Sequence, residues 1–182
     1  MISLITIPKN NKYLKASMKK HYTKPKGFVG RSICYAIYFN ETLYGHILGG
    51  SSTLYLKGRN EFFNIDKSKL NNIINNIFYH IEKVDNKYPI RNFTTKVLKA
   101  WREQIKVDWQ QKYGDKVIGY ESLIEPPRTA ELYKKDKWVL VGTTFGYTCK
   151  RIPGHEKGAF KTGKRVWNTK DLKPKLIFCR GL

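Results

Sequence analysis

The sequence predicts a mixed α/β domain of the α+β class, with a mixed sheet flanked by helices and a basic C-terminal extension. Hydrophobic residues make up 41% of the 182 residues and aromatic residues 14%, which is enough for one packed core. Short runs of β-branched and aromatic residues, typical of strands, alternate with stretches of helical spacing. We therefore predict a single domain, with its core at about residues 20–144 and the basic extension at 145–182.

The first part of the chain predicts a strand over residues 1–7 and a short helix over 10–20. Residues 32–39 (SICYAIYF) and 43–48 (LYGHIL) predict two strands joined as a hairpin. The glycines and serines of residues 49–52 are expected to end the second strand, because small residues often mark a close approach of backbone or ligand.

Two apolar runs in the middle of the chain, residues 60–65 and 73–81, leave their type open. One interpretation is a helix over 66–76 with Asp66 or Ser68 as its cap. The other is a sheet strand over 75–81, which we favour.

The clearest helix covers residues 93–113. Large apolar side chains recur there at every fourth position: Val97, Trp101, Ile105 and Trp109. This spacing predicts one apolar stripe that faces a sheet. Asn92 or Thr94 can cap the start of the helix, and Gly114 can end it. The free backbone amides at the start of the helix, beside Arg91 and Asn92, suit a pyrophosphate. These residues on their own, however, favour an ordinary capped core helix.

The stretch after the long helix predicts a strand (117–124), a polar corner, a short helix (128–135) and a second strand (138–142). Pro126 and Pro127 stop the first strand, because neither can donate a ladder hydrogen bond. The corner carries four polar side chains: Glu121, Ser122, Glu125 and Arg128. The end of a strand that leads into a helix is a favoured place for chemistry in α/β folds.

The charge predicts a polyanionic partner. Thirty-five lysines and arginines against fourteen acidic residues give a net charge of +21, spread over the whole length. The alternative is a solvated lysine-rich surface, but we favour nucleic acid and expect double-stranded DNA. The candidate nucleic-acid-binding residues are Lys24, Lys26, Arg31, Arg128, Lys150, Arg151, Lys164, Arg165 and Trp167.

The three cysteines are too few and too scattered for a disulfide framework, and no signal peptide is evident, so we expect a reducing, intracellular setting. No apolar run approaches ~18 residues, and we expect no membrane partner. Cys149, His155 and Cys179 with His21 are a conceivable metal site, but their spacing matches no known framework. The metal and the oligomeric state stay open.

The order of elements resembles the acetyltransferase-type (GNAT) fold, and several stretches within it resemble the Mom family of phage proteins, which modify adenine in DNA. The resemblance is carried by His21-Tyr22, residues 45–52 (GHILGGSS), Asn60-Glu61-Phe62, residues 89–92 (PIRN), residues 122–126 (SLIEP), Leu132-Tyr133 and Trp138. Two departures are Glu125-Pro126, where such sequences tend to have Asp-Pro, and the absence of glycine from residues 88–93.

The Mom resemblance implies transfer of a carbamoylmethyl-type group to the exocyclic amine of adenine, which would protect phage DNA from host restriction. It implies an acyl donor such as acetyl-CoA and an iron ion as candidate cofactors, and the cytoplasm of a phage-infected bacterium as the setting. The alternatives are a non-catalytic DNA-binding protein and an acetyltransferase that acts on another amine.

The residue types fit such chemistry. An exocyclic amine must lose a proton during attack, so we expect His21 to accept it, with Glu125 orienting the imidazole or taking the proton itself. Tyr22 and Tyr133 are expected to donate hydrogen bonds or to protonate a leaving thiolate, and Ser122 to hold the base edge. A stacked base would have to be flipped out of the duplex.

Overall fold

The computed structural model describes residues 1–25, 27–28, 30–52, 55–152, 164–168, 170 and 172–182, with the backbone alone for 148–152 and 164–168. Within those residues, no helix is both long and apolar enough to cross a membrane. The helices are α1 (Lys12–Lys20), α2 (Lys57–Phe63), α3 (Phe93–Tyr113) and α4 (Glu131–Lys135), with a 3₁₀ turn at Lys67–Asn72. The strands are β1 (Ile2–Ile7), β2 (Ser32–Phe39), β3 (Thr42–Ser51), β4 (Ile73–Ile81), β5 (Gly119–Ile124), β6 (Val139–Thr143), β7 (Thr148–Ile152), β8 (Lys164–Asn168) and β9 (Leu176–Gly181).

Seven of these strands form one mixed sheet in the order β1-β2-β3-β4-β5-β9-β6. The pair β4–β5 is parallel, and every other neighbouring pair in this sheet is antiparallel. Helices cover both faces, so the predicted fold class, a mixed sheet flanked by helices, is confirmed. The strand β9 lies between β5 and β6, which places the last residues of the chain inside the central sheet.

The sheet opens between β4 and β5. These strands pair only from Ile73–Gly119 to Asn75–Glu121, whereas β4 continues to Ile81 and β5 to Ile124. Because side by side strands normally satisfy each other's backbone groups, the facing edges beyond Asn75 and Glu121 turn N–H and C=O groups toward a gap. This gap forms the candidate functional site.

The long helix α3 packs on one face of the sheet through the predicted stripe. Val97, Trp101, Ile105 and Trp109 all have no exposed side-chain surface. At Gly49 a Cβ atom would lie only 2.2 Å from Ile105 Cδ1 and 3.0 Å from Trp101 Cζ2, so this position must be glycine for the helix to sit so close. The strand β3 therefore continues to Ser51, and the expectation that residues 49–52 end it is wrong.

The structure decides between local alternatives that the sequence left open. Of the run 60–65, whose type was open, residues 60–63 lie in helix α2. The stretch 66–76 is not a helix: a 3₁₀ turn capped by Asp66 is followed by a strand that begins at Ile73, so the favoured strand over 75–81 is confirmed. The side chain of Asn92 makes no capping hydrogen bond, because this residue adopts a left-handed conformation (φ 57°) at the start of α3. Within the basic extension, residues 148–152 and 164–168 form the antiparallel pair β7–β8.

The opposite face of the sheet carries α1, α2 and a buried ion pair. Helix α1, capped by the side chain of Asn11, packs Leu14 and Met18 onto the sheet. The Arg59 guanidinium of α2 donates to Glu121 Oε2 at 2.5 Å, and Ser52 Oγ donates to Glu121 Oε1 at 2.6 Å. Glu121 is therefore not part of the polar corner with Ser122, because successive residues of a strand point to opposite faces.

Candidate functional site

A cleft of about 850 Å³ occupies the gap between β4 and β5. One wall is β4 from Asn75 to Ile81, and the other is the end of β5 with the corner that follows it. Helix α4 contributes Tyr133, and the segment after α1 contributes His21 and Tyr22. The split of the parallel pair thus brings three separate segments of the chain around one cavity, and Lys175 adds a fourth.

A cluster of hydroxyl and amide groups forms the floor of the cleft, at the point where the two strands separate. Tyr133 Oη donates to Asn76 Oδ1 at 2.7 Å and also interacts with the Ser122 hydroxyl. Ser122 Oγ lies 3.4 Å from the backbone oxygen of Asn76. Burial is the main cause that raises the pKa of Tyr133, so its hydroxyl keeps its proton at neutral pH. Two of the predicted site residues, Ser122 and Tyr133, are brought together here.

His21 lies against the open edge of β4 and is only 6% exposed. Its Nδ1 accepts from the backbone N–H of Thr23 (3.3 Å) and lies 2.8 Å from the Thr23 hydroxyl, while its ring also donates to the backbone of Tyr79. Burial first, then the charges of His80 and Arg128, lower the pKa of His21 to about 4. His21 is therefore neutral at pH 7, and both of its nitrogens already have partners.

The mouth of the cleft is crossed by a stacked pair from two different loops. The Arg128 guanidinium carbon lies 3.2 Å from the centre of the Tyr22 ring, which in turn contacts the His21 ring at 4.2 Å between centroids. Tyr22 is 42% exposed, and burial raises its pKa although Arg128 opposes this. Glu125 does not contact His21; its Oε2 lies 3.7 Å from Lys175 Nζ at the side of the cleft.

A pair of histidines on strands β3 and β4 was not predicted from the sequence. His46 of β3 and His80 of β4 are register partners and hence share a face of the sheet. His80 Nε2 lies 3.4 Å from Glu82 Oε1, and Lys20 Nζ donates to the other oxygen of that carboxylate at 2.6 Å. His46 is fully buried, with Nδ1 at 2.8 Å from Ser17 Oγ, and burial with His80 lowers its pKa to about 4.

Of this pair, His80 lines the cleft. The sequence places Glu82 only two positions after His80, but the partnership of His80 with His46 depends on the register of two distant strands.

Several predicted residues lie away from the cleft. Arg91 and Asn92 are exposed at the start of α3 and do not line the cavity. Arg31 pairs with Asp115, and Lys24 is exposed in the loop after α1. Lys26 lies outside the described residues, as do the side chains of Lys150, Arg151, Lys164, Arg165 and Trp167.

Two of the four candidate metal ligands, His21 and Cys179, have side chains within the described part of the chain. No group of three or more His, Cys, Asp or Glu side chains there is arranged to hold a metal ion. Of the four residues considered for a zinc site, Cys179 is buried and carries a free thiol, and His21 has the partners described above. The Cys149 side chain and His155 lie outside the described residues.

Comparisons with known proteins agree on the fold. No protein-family model and no curated protein sequence matches the chain. Among solved structures, an acetyltransferase of Bacillus subtilis in complex with CoA is similar with a TM-score of 0.58 and 10% identity, over 100% of this chain and 99% of that one. The aminoglycoside 6'-N-acetyltransferase of Enterococcus faecium gives 0.53 and 10%, over 100% and 96%. The IAA acetyltransferase of Bacillus cereus gives 0.51 and 11%, over 100% of both chains. The chain therefore has the GNAT-type fold that its order of elements predicted.

Proposed function

We propose that this protein transfers an acyl group from a thioester donor of the acyl-CoA type to an exocyclic amine of a nucleic-acid base. The observation that carries the proposal is the cleft between β4 and β5. Its open strand edge adjoins a protonated tyrosine at the floor and a histidine–carboxylate pair on the wall. These are the groups that an acyl transfer to an amine requires: a place for an extended donor, a proton acceptor and a proton donor.

The cleft suits the donor. The unpaired edge of β4 offers N–H and C=O groups at strand spacing, which an extended amide-bearing arm can bind as an added strand would. Lys20, Arg128 and Lys175 line the cavity and supply positive charge for phosphate groups. Such a donor brings an acyl carbonyl whose C–S bond breaks as the amine nitrogen bonds to its carbon. Arg91 and Asn92 stay candidates for the donor's phosphates at the start of α3.

His80 fits the role of proton acceptor better than His21. An acceptor needs a nitrogen lone pair and appreciable basicity near pH 7. The Nδ1 of His21 is engaged by Thr23, and the lowered pKa of His21, about 4, makes the ring a weak base. In His80, the Glu82 carboxylate accepts from Nε2–H and so fixes the tautomer whose lone pair is on Nδ1. The same carboxylate stabilises the imidazolium that forms when the amine proton is taken up.

Tyr133 is suited to be the proton donor. Its hydroxyl holds a proton at the floor of the cleft because burial raises its pKa, and Asn76 fixes the direction of that hydroxyl. A thiolate leaving group formed at the floor would accept this proton. Ser122, one hydrogen bond away, can then reprotonate or orient the phenol. Tyr22, at the mouth, is better placed to contact the acceptor than the donor.

The charge supports a nucleic-acid acceptor. The net charge of +21 favours a polyanion, and the cleft itself is lined by three cations and one carboxylate, Glu131. A cationic amine substrate would be repelled by such a surface. The stretches that resemble the Mom family include His21-Tyr22, Ser122 and Tyr133 of the cleft. We accordingly extend the proposal to adenine in phage DNA, modified so that host restriction fails.

Two measurements test the proposal. Mass spectrometry of nucleosides from DNA co-expressed with the protein is expected to show an adenine acylated on its exocyclic amine, and calorimetry is expected to show binding of CoA to the purified protein. His80→Asn is expected to lower the modification ~10²–10⁴-fold while CoA binding is kept. Tyr133→Phe is expected to lower it as well, and Tyr13→Phe, the same change on the outer side of α1, serves as the matched control.

Two results would contradict the proposal. Unmodified DNA together with absent CoA binding would remove the transfer function. If His21→Ala abolished the product while His80→Asn did not, the proton acceptor would be His21, as its residue type and place in the sequence led us to expect.

A further inference from the structure

Two aromatic rings stack on each other at the surface after β6. The rings of Phe145 and Tyr147 lie 5.6 Å apart between centroids and only 13° from parallel. Phe145 is 78% exposed and Tyr147 is 50% exposed. Large aromatic side chains gain most of their stabilisation from burial, so a preformed pair that remains in water calls for an explanation other than folding.

The loop that carries the two rings is fixed in place. Thr144 and Lys175 exchange two hydrogen bonds, from Thr144 N–H to the Lys175 carbonyl (2.9 Å) and from Lys175 N–H to Thr144 Oγ1 (3.0 Å). Lys173 N–H donates to the Gly146 carbonyl at 3.0 Å. A Cβ atom on Gly146, whose φ is 78°, would meet the backbone of Lys173 at 2.4 Å, so only glycine permits this contact. The rings are therefore held at a defined position rather than on a free loop.

This position is next to the cleft. Lys175, which the loop contacts directly, also lines the cavity and reaches toward Glu125. From Lys173 to Lys175 an extended chain covers about 7 Å. Two lysines thus adjoin the loop of the stacked rings, one of them also lines the cleft, and their backbone spacing is close to that of successive phosphates in an extended strand.

The charge of this part of the sequence points to an anionic ligand. Residues 145–182 contain ten lysines and arginines against two acidic residues, Glu156 and Asp171. Single-stranded nucleic acid is bound elsewhere by this combination, in which aromatic faces stack on bases and cations follow the backbone. A second copy of the chain is disfavoured as the occupant, because each copy carries a charge of +21.

We propose that Phe145 and Tyr147 form a stacking platform for an unpaired base of a nucleic-acid strand, with Lys173 and Lys175 on its phosphates beside the cleft. Bases within a duplex are already stacked on each other and present no free face, so the platform selects an unpaired strand. This deepens the proposed function by naming the form in which the acceptor strand is held, yet the binding step stands without the transfer step.

Binding of fluorescein-labelled oligonucleotides, followed by anisotropy, tests this inference. The probes are a dT 12-mer, a U 12-mer, a 12-mer of abasic deoxyribose phosphates and a 12-bp duplex. For the double variant Phe145→Ala/Tyr147→Ala we expect about tenfold or more loss of affinity for the two single strands. We expect little change for the abasic strand and the duplex, since the phosphate contacts are kept.

Two control variants separate stacking from charge. Tyr13→Ala removes an equally exposed ring (55%) on α1 and is expected to leave all four affinities unchanged. Lys173→Ala is expected to reduce the slope of log K against log salt by about 0.7 for single strands, which the aromatic variant should not do. The dT and U probes distinguish DNA from RNA as the source of the strand.

The inference is overturned if the double variant binds the dT 12-mer as tightly as the parent does, or if the parent binds none of the probes. It is also overturned if the double variant loses affinity for the abasic strand and the duplex to the same extent as for the dT and U strands. A concentration-dependent dimer that the double variant abolishes would instead identify a second copy as the occupant. If the double variant loses affinity for the single strands as expected, but co-expressed DNA contains no modified adenine, only the transfer function is refuted. Modified adenine without the stacking effect would refute the platform alone.

Discussion

Replacing Arg59 by Met probes the ion pair that ties α2 to the sheet at the point where β4 and β5 separate. Arg59 has no exposed side-chain surface and Glu121 only 2%, and their charged atoms are 2.5 Å apart. Burial already raises the pKa of Glu121, and the attraction of Arg59 opposes that rise. Without the guanidinium, the carboxylate would remain buried with the Ser52 hydroxyl as the partner on its Oε1.

The expected cost follows from burial. Breaking a buried pair by removing one partner costs about 3–5 kcal/mol, which corresponds to a melting temperature lower by roughly 6–20 °C for a domain of this size. The cost depends on pH, because Arg59→Met raises the pKa of Glu121 further. A group with a raised carboxyl pKa destabilises the fold at high pH and ceases to do so as it takes up a proton at lower pH. We therefore expect the destabilisation to be smaller at pH 5 than at pH 8.

Urea unfolding of the parent and the variant at pH 5, 6, 7 and 8 measures this difference directly. The double variant Arg59→Met/Glu121→Leu is the matched control, since it removes both charges and is expected to regain most of the lost stability with no pH dependence of its own. A destabilisation equal at pH 5 and pH 8 would mean that lost packing, not a buried charge, explains the effect. The reasoning on the pair would then be refuted.

Two further predictions concern close packing and buried histidine. Gly49→Ala is expected to cost about 1–3 kcal/mol, because its Cβ would overlap the Ile105 side chain, whereas Gly27→Ala, with nothing within 4 Å, is expected to be nearly neutral in the same thermal melts. The lowered pKa of His46, about 4, stabilises the fold above pH 6.5, and this contribution of at most roughly 3 kcal/mol is lost as pH falls toward 4. His46→Gln is expected to flatten the fall in stability between pH 6.5 and 4, and an unchanged slope in urea titrations would contradict it.

The elements were predictable where their signal is local. The apolar stripe of α3 repeats every fourth residue, and β2 is a continuous β-branched and aromatic run, so each could be assigned without its partners. The glycines of β3 led to the wrong prediction that the strand ends there. They are required by the close approach of α3, which only the folded structure shows. Residues 57–63 gave no apolar stripe long enough to identify as a helix, since α2 has only seven residues.

The residues of the candidate site likewise divide into those that the sequence predicted and those that it did not. Ser122 and Tyr133 follow from their place at the end of a strand and on the helix after it, and the structure puts both at the floor of the cleft. Arg59 could not be found, because its partner Glu121 lies on a strand distant in sequence. The place of His80 in the sheet depends on the register of β3 and β4, although Glu82 is only two positions away. An ion pair across 62 positions leaves no pattern in a single sequence.

The cleft can stay open only because the sheet is held from both faces at the point where it divides. A split parallel pair leaves backbone groups without ladder partners, and closing the gap would satisfy them. On one face, Tyr120 packs against Trp101 of α3 and donates to the Arg102 carbonyl, which fixes β5 at the split. On the other face, Glu121 is held by Arg59 and Ser52. Successive residues of β5 are thus anchored to opposite layers, and the next residue, Ser122, faces the cleft from a strand that cannot shift toward β4.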